Sequence, residues 1–195
     1  MKMKFVFLLL AVMFSAIPSN IFASEWRFPI GLSYAQGFTD VVDLYKDNLE
    51  KEGYDVKSSG AIPVGISAKG YYQFDSGIGC GAGFGPMMII SSSEAYFFGF
   101  PLYADVRYTL LQGSNICPYV RAGIQYVSAS GDYVKKSSPG FLGAIGVEFL
   151  RNKRVGFGLE FAVTTSKIEF EDKTSSKGKK EINPTKFLVS AFAVF

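Results

Sequence analysis

Apolar and polar positions alternate with period two along most of this chain, and each segment keeps its parity to its end. In Arg27 to Ala35, the residues Phe28, Ile30, Leu32 and Tyr34 fall on one face, with Arg27, Pro29, Gly31, Ser33 and Ala35 on the other. In Ile62 to Phe74, the row Ile62, Val64, Ile66, Ala68, Tyr72 and Phe74 opposes Gly65, Ser67, Lys69, Tyr71 and Gln73. Phe100 to Leu110 repeats the parity, with Leu102, Ala104, Val106 and Tyr108 opposite Tyr103, Asp105, Arg107 and Thr109. Further strands are expected over Ile78 to Met88, Pro118 to Ser128, Phe141 to Phe149, Val155 to Lys167 and Pro184 to Phe195, which makes eight. The alternating glycines Gly79, Gly81, Gly83 and Gly85 weaken a strand, unless a large inward neighbour needs their room.

The connections alternate in length. Asp75-Ser76-Gly77, Gln112 to Asn115 and Asn152-Lys153 read as tight turns. Between them lie longer polar stretches at Phe38 to Gly60, Ser91 to Glu94, Ser130 to Pro139 and Glu169 to Asn183. Within the first of these, Asp40 to Glu52 has helical spacing, with Val41, Leu44, Tyr45 and Leu49 on one face and Gly53 as a C-terminal cap.

Composition narrows where such a sheet can reside. The chain is 48% hydrophobic and 16% aromatic over 195 residues, which fits one folded domain. Residues 1–23 have the three parts of a cleaved secretory signal: Lys2 and Lys4, the apolar run Phe5 to Phe14, and Ile21-Phe22-Ala23 before Ser24. The domain is then 24–195. Beyond the leader, no run approaches the roughly 20 apolar residues of a membrane helix. An exported chain with one oily and one small or polar face per strand is either a soluble sandwich or a membrane barrel, and short turns opposite long loops favour the barrel. The expected fold is therefore all-β: an eight-stranded antiparallel transmembrane β-barrel with short periplasmic turns and longer extracellular loops. Trp26, Tyr72, Phe74, Phe98, Phe100, Tyr108, Phe149 and Phe195 stand near strand ends, where interfacial aromatics belong.

Charge and chemistry add less. The formal net charge of +3, two units of it from Lys2 and Lys4, selects no nucleic acid. With no histidine in the chain, histidine-based hydrolysis and metal ligation are absent, and neither cofactor nor metal is expected. The inward parity collects Arg27, Lys69, Arg107 and Arg121 with Asp105, Glu148 and Glu160. Such a set either lines an ion pathway or packs as a salt-bridge network, and the narrow interior of an eight-stranded barrel favours the network. Cys80 and Cys117 fall on different parities, with a strand between them, and are expected as free thiols. Lys135, Lys136 and the run Lys173 to Lys180 make two loops basic, while Asp40 to Asp55 is acidic; such loops are either simply solvated, the more common case, or bridge lipopolysaccharide phosphates or a host or neighbour surface.

Phe100-Pro101-Leu102-Tyr103-Ala104-Asp105-Val106-Arg107-Tyr108 and the following Pro118-Tyr119-Val120-Arg121-Ala122-Gly123-Ile124 resemble the fourth and fifth strands of the outer membrane protein β-barrel family, which includes OmpX-type and OmpA-type domains. The C-terminal row Phe187, Val189, Ala191, Ala193 and Phe195 resembles the assembly signal of that family. The resemblance implies a Gram-negative outer-membrane location among lipids and lipopolysaccharide, and insertion by the barrel assembly machinery with periplasmic chaperones. A non-enzymatic structural or surface-interaction role is expected. The alternatives are a narrow pore for ions or small solutes and, further off, a lipid A-modifying enzyme resting on Glu148 and Glu160. The extracellular partner has no sequence signal.

Overall fold

β-branched and aromatic side chains concentrated on one face of the pleat, with small or polar ones on the other, favour extended chain, and the observed elements follow that pattern. The structure, a computed structural model, describes residues 25–54, 63–112, 114–150, 155–176 and 178–195. The expected leader, the Asn152-Lys153 turn and the start of the second strand at Ile62 lie outside the described residues.

In chain order the elements are β1 (Glu25–Arg27), β2 (Pro29–Ala35), α1 (Phe38–Lys51), β3 (Val64–Gln73), β4 (Ile78–Phe84), β5 (Met88–Ser91), β6 (Tyr96–Thr109), β7 (Ile116–Gly131), β8 (Val134–Ser138), β9 (Gly140–Phe149), β10 (Gly156–Thr164), β11 (Lys167–Glu171), β12 (Lys179–Ile182) and β13 (Phe187–Val194). Antiparallel pairing runs β2, β3, β4, β6, β7, β9, β10, β13 and back to β2, closing an eight-stranded barrel. β1 continues the first stave below Phe28, and β5 continues the third above Pro86. Followed once round the barrel from β2 through β3, the register returns to β2 ten residues further along. That stagger tilts the strands and leaves an interior that side chains fill. The inward glycines of β4 serve this packing. A Cβ on Gly81 would meet the Tyr71 Cβ at 2.5 Å, and one on Gly83 the Lys69 Cβ at 2.6 Å, so Tyr71 and Lys69 lie flat across β4.

Outward rows are oily, and they end in aromatic girdles. At the turn side, Trp26, Tyr72 and Phe74 stack edge to face at 5.3 and 5.0 Å, and Phe28 and Phe195 exchange both backbone hydrogen bonds. Both described ends of the chain therefore meet at that side.

The opposite end departs from expectation. Ser130 to Pro139 and Glu169 to Asn183, expected as loops, are largely strand: β7 runs to Gly131, and β8, β11 and β12 form a second, three-stranded sheet above the barrel. The reason is burial. Ile168, Phe170 and Ile182 point inward from this sheet and are nearly inaccessible, so charged residues on alternate positions make an outer face rather than a loop. Likewise β6 begins at Tyr96, because Phe97 turns inward onto the same core.

That core is built around α1. Phe38, Val41, Leu44, Tyr45 and Leu49 form its buried face and pack against Met88, Phe97, Val127, Tyr133, Ile168 and Phe170. Tyr45 contacts the rings of Phe97, Tyr133 and Phe170 at 5.8, 4.9 and 6.2 Å. The helix ends as its sequence predicts. Gly53 takes φ +92°, with Gly53 N donating to Glu50 O and Tyr54 N to Leu49 O, the pairing that satisfies carbonyls at a left-handed cap. α1 is held from outside too: the buried Asn48 amide donates to Glu171 O, while its Oδ1 accepts from Lys173 N. Glu52 accepts from Tyr133 Oη and from Lys173 Nζ.

Candidate functional site

The inward rows bring ionisable side chains together in the lower half of the lumen. β3 supplies Lys69 and Tyr71, β6 supplies Asp105 and Arg107, β7 supplies Tyr119 and Arg121, β9 supplies Glu148 and β10 supplies Glu160. Arg107 and Arg121 are direct cross-strand partners, a like-charge juxtaposition that destabilises a sheet unless each finds its own counter-ion. Each does, by leaning in opposite directions.

Nearer the turns, Arg107 Nη1 pairs with Glu148 Oε1 at 2.7 Å, and Arg107 Nε donates to Thr109 Oγ1. Its guanidinium lies between the rings of Tyr71 and Tyr119, at 4.7 and 3.5 Å from their centroids. Tyr71 Oη donates to the same Glu148 oxygen, and Thr109 donates to Gln73.

One tier further in, Arg121 grips Glu160 with two bonds, Nε to Oε2 at 2.9 Å and Nη2 to Oε1 at 2.7 Å, while Nη1 reaches Asp105 at 2.5 Å. Lys69 Nζ and Tyr119 Oη complete the Glu160 shell at 2.9 and 2.7 Å. Glu160 thus accepts four hydrogen bonds from three residues, which a buried carboxylate requires. Tyr119 links the tiers, its ring under Arg107 and its hydroxyl on Glu160.

Above the ions the lining turns neutral. Ser33 Oγ bonds Ser67 and Ser190 at 2.8 and 2.7 Å, and Gln125 Nε2 donates to Ser166 and Thr185. Among Ser33, Ser67, Lys69, Tyr103, Arg121 and Glu160 lies a cavity of about 20 Å³, room for one water. Beyond the hydroxyls stands the apolar core of α1.

Of the seven charged residues expected together, six meet. Arg27 sits on the same parity at the turn-side rim, where it pairs with Glu25 at 2.6 Å. Parity assigns a face, and depth along the barrel decides the partner. The neutral linkers Tyr71, Gln73, Tyr119 and Gln125 lie outside the charged set that the sequence marks; their signal is the same inward parity, carried by hydrogen-bonding side chains as well as charges. Cys80 and Cys117 are both free thiols, with Cys117 buried against the carbonyls of Leu111 and Ser114 at 3.2 Å. Among the described residues, no group of three or more His, Cys, Asp or Glu is placed to hold a metal ion.

A closed barrel with an oily exterior, girdled ends and a packed ionic lumen defines an integral outer-membrane protein of the small-barrel class. Residues 6–195 match the outer membrane protein beta-barrel domain, and the chain belongs to that family. Among solved structures, it is similar to the outer membrane protein OprG of Pseudomonas aeruginosa: 11% identity, 89% of this chain and 95% of that one, TM-score 0.52. Outer membrane protein W of E. coli is similar over 89% of this chain and 97% of that one, with 14% identity and TM-score 0.52. At these identities the likeness is one of fold. No curated protein matches the chain.

Proposed function

We propose that this protein is a non-conducting, non-enzymatic outer-membrane barrel that serves as a structural element and displays a folded cap at the cell surface. The observation that carries this is obstruction at two levels: six ionisable side chains neutralise one another across the lower lumen, and α1 fills the upper mouth with apolar side chains. Hydrated ions need a continuous wet path, and hydrophobic constrictions oppose it by dewetting. Glu148 and Glu160, the carboxylates a histidine-free enzyme would need, are each held by cationic partners rather than by one another.

The cap carries Lys135, Lys136, Lys167 and Lys179 on the outer face of the β8, β11 and β12 sheet, beside the headgroup region, where they suit lipopolysaccharide phosphates. The C-terminal row ending at Phe195 is the segment we assign to recognition by the assembly machinery. Planar-bilayer recording tests the central claim. The wild type is expected to give no stable conductance, and a variant with α1 broken by Leu44→Pro is expected to remain closed at the ionic tier. Stable ion-sized openings in the wild type would overturn the reading and promote a transport role; a change in lipid A acylation that follows the protein's presence would promote an enzyme.

A further inference from the structure

The oily exterior is not level. On β6 the outward row Tyr108, Val106, Ala104, Leu102, Phe100, Phe98 and Tyr96 is apolar or aromatic throughout, whereas along β10 it runs Val155, Phe157, Leu159, Phe161 and Val163 before Thr165 and Lys167. With a rise of ~3.4 Å per residue and a strand tilt of ~45°, those rows are about 29 Å and about 19 Å tall along the barrel axis. Next door, β7 turns polar early: the register partners of Phe100 and Phe98 are Ser128 and Ser130.

The excess on β6 is shared by β5, whose Ile89 pairs with Phe98. Met87, Ile89, Tyr96 and Phe98 form a ridge, between 37% and 56% exposed. It joins the belt without a gap, since Phe98 stacks on Phe100 and Phe100 on Phe84 at centroid distances of 6.4 and 5.2 Å. The opposite wall presents at its top the charge ladder of β8, β11 and β12, with ion pairs Lys167–Glu181, Lys179–Glu169 and Lys135–Glu171.

We propose that acyl chains of the outer leaflet cover this ridge, and that the barrel therefore stands tilted, its β5–β6 wall sunk and its β8–β11–β12 wall raised among the headgroups. The ridge is continuous with the lipid-facing belt, and an oily row taller than the local hydrocarbon is accommodated by tilt. A second protein fits less well: stable interfaces engage about 20–30 residues a side, and four side chains fall far short.

The test places one tryptophan at a time. In a Trp26→Phe background, Phe98→Trp reports the ridge and Lys136→Trp the far wall, each refolded into phosphatidylcholine vesicles with brominated acyl chains and checked for heat-modifiable migration. Ile89→Trp replaces Phe98→Trp should the latter not fold. Bromine is expected to quench the ridge tryptophan several-fold more than the far-wall one, with aqueous acrylamide giving the reverse order. Acrylamide quenching of both alike, without bromine quenching of the ridge, would place the ridge in water and overturn the proposal. So would a ridge tryptophan shielded from both quenchers in a chain that cross-links to a second copy.

Discussion

Replacing Glu160 by Gln keeps the shape of the side chain and removes its charge. The wild-type carboxylate accepts from Arg121 Nε and Nη2, from Lys69 Nζ and from Tyr119 Oη. An amide has one oxygen: if it faces Lys69, Tyr119 and Arg121 Nε, its NH2 meets the Nη2 donor at the place of Oε1. Two buried cations are then left with Asp105 as their nearest counter-ion. Removing one partner of a buried pair costs about 3–5 kcal/mol, equivalent to two to three and a half powers of ten in the folding equilibrium. Urea unfolding in lipid vesicles measures it, followed through Trp26, the single tryptophan, which packs on Tyr72 at the turn-side girdle. Adding Lys69→Met restores the balance of Arg121 with Asp105, so the double variant should cost less than the sum of its singles, by about 0.5–3 kcal/mol. A Glu160→Gln protein within about 0.5 kcal/mol of wild type, or strictly additive singles, would refute the network reasoning.

Three further outcomes are expected. Folded protein should migrate differently on gels before and after boiling, because a closed barrel pairs its backbone internally, and comigration of a sample shown to be folded would contradict closure. Ile145→Arg, on the lipid face of β9, should lower stability by about 2–4 kcal/mol, while Asp47→Arg on the exposed face of α1 should change it little; equal losses would contradict the in/out assignment. Protection of the α1 amides, taken relative to their intrinsic exchange at each pH, should fall only at the pH extremes. Bonds from Lys173 and then Tyr133 hold the Glu52 carboxyl below its usual range, so its contribution is complete above the ordinary carboxylate pKa and is lost as acid passes the lowered one. The Lys173 ammonium, raised by Glu52, holds until base passes its elevated value. A Glu52→Gln variant should lose the acid limb, and an unchanged limb would show that another group controls the cap.

The barrel was legible in the alternation because lipid and lumen make opposite demands on adjacent residues; in the third stave, expected as one strand from Ile78 to Met88, the chain breaks at Gly85-Pro86 and the parity slips, so that Met87 and Ile89 face outward and Met88 inward. The ionic tiers were legible by the same parity as far as Lys69, Asp105, Arg107, Arg121, Glu148 and Glu160. Arg27 shows the limit: its face is right, but the rim offers Glu25. The cap was less legible. Above the membrane the outward positions of β8, β11 and β12 face water, so Lys135-Lys136 and Lys179-Lys180 read as loop, and only Ile168, Phe170 and Ile182 mark the inner side. The amphipathic face of α1 was visible, yet its destination was not, since helical spacing does not state what the helix covers.

Asn48 ties the first long connection to the last hairpin across a sequence separation of 125 residues. Those two chain regions become neighbours only when β13 has paired with β2, the seam that closes the cylinder. The cap is therefore a report on closure: a barrel with its final hairpin misplaced has no wall against which α1 can bury Leu44, Tyr45 and Leu49, and it shows that apolar face to the outside. Exposure of that face is thus the mark of a barrel whose seam has not closed.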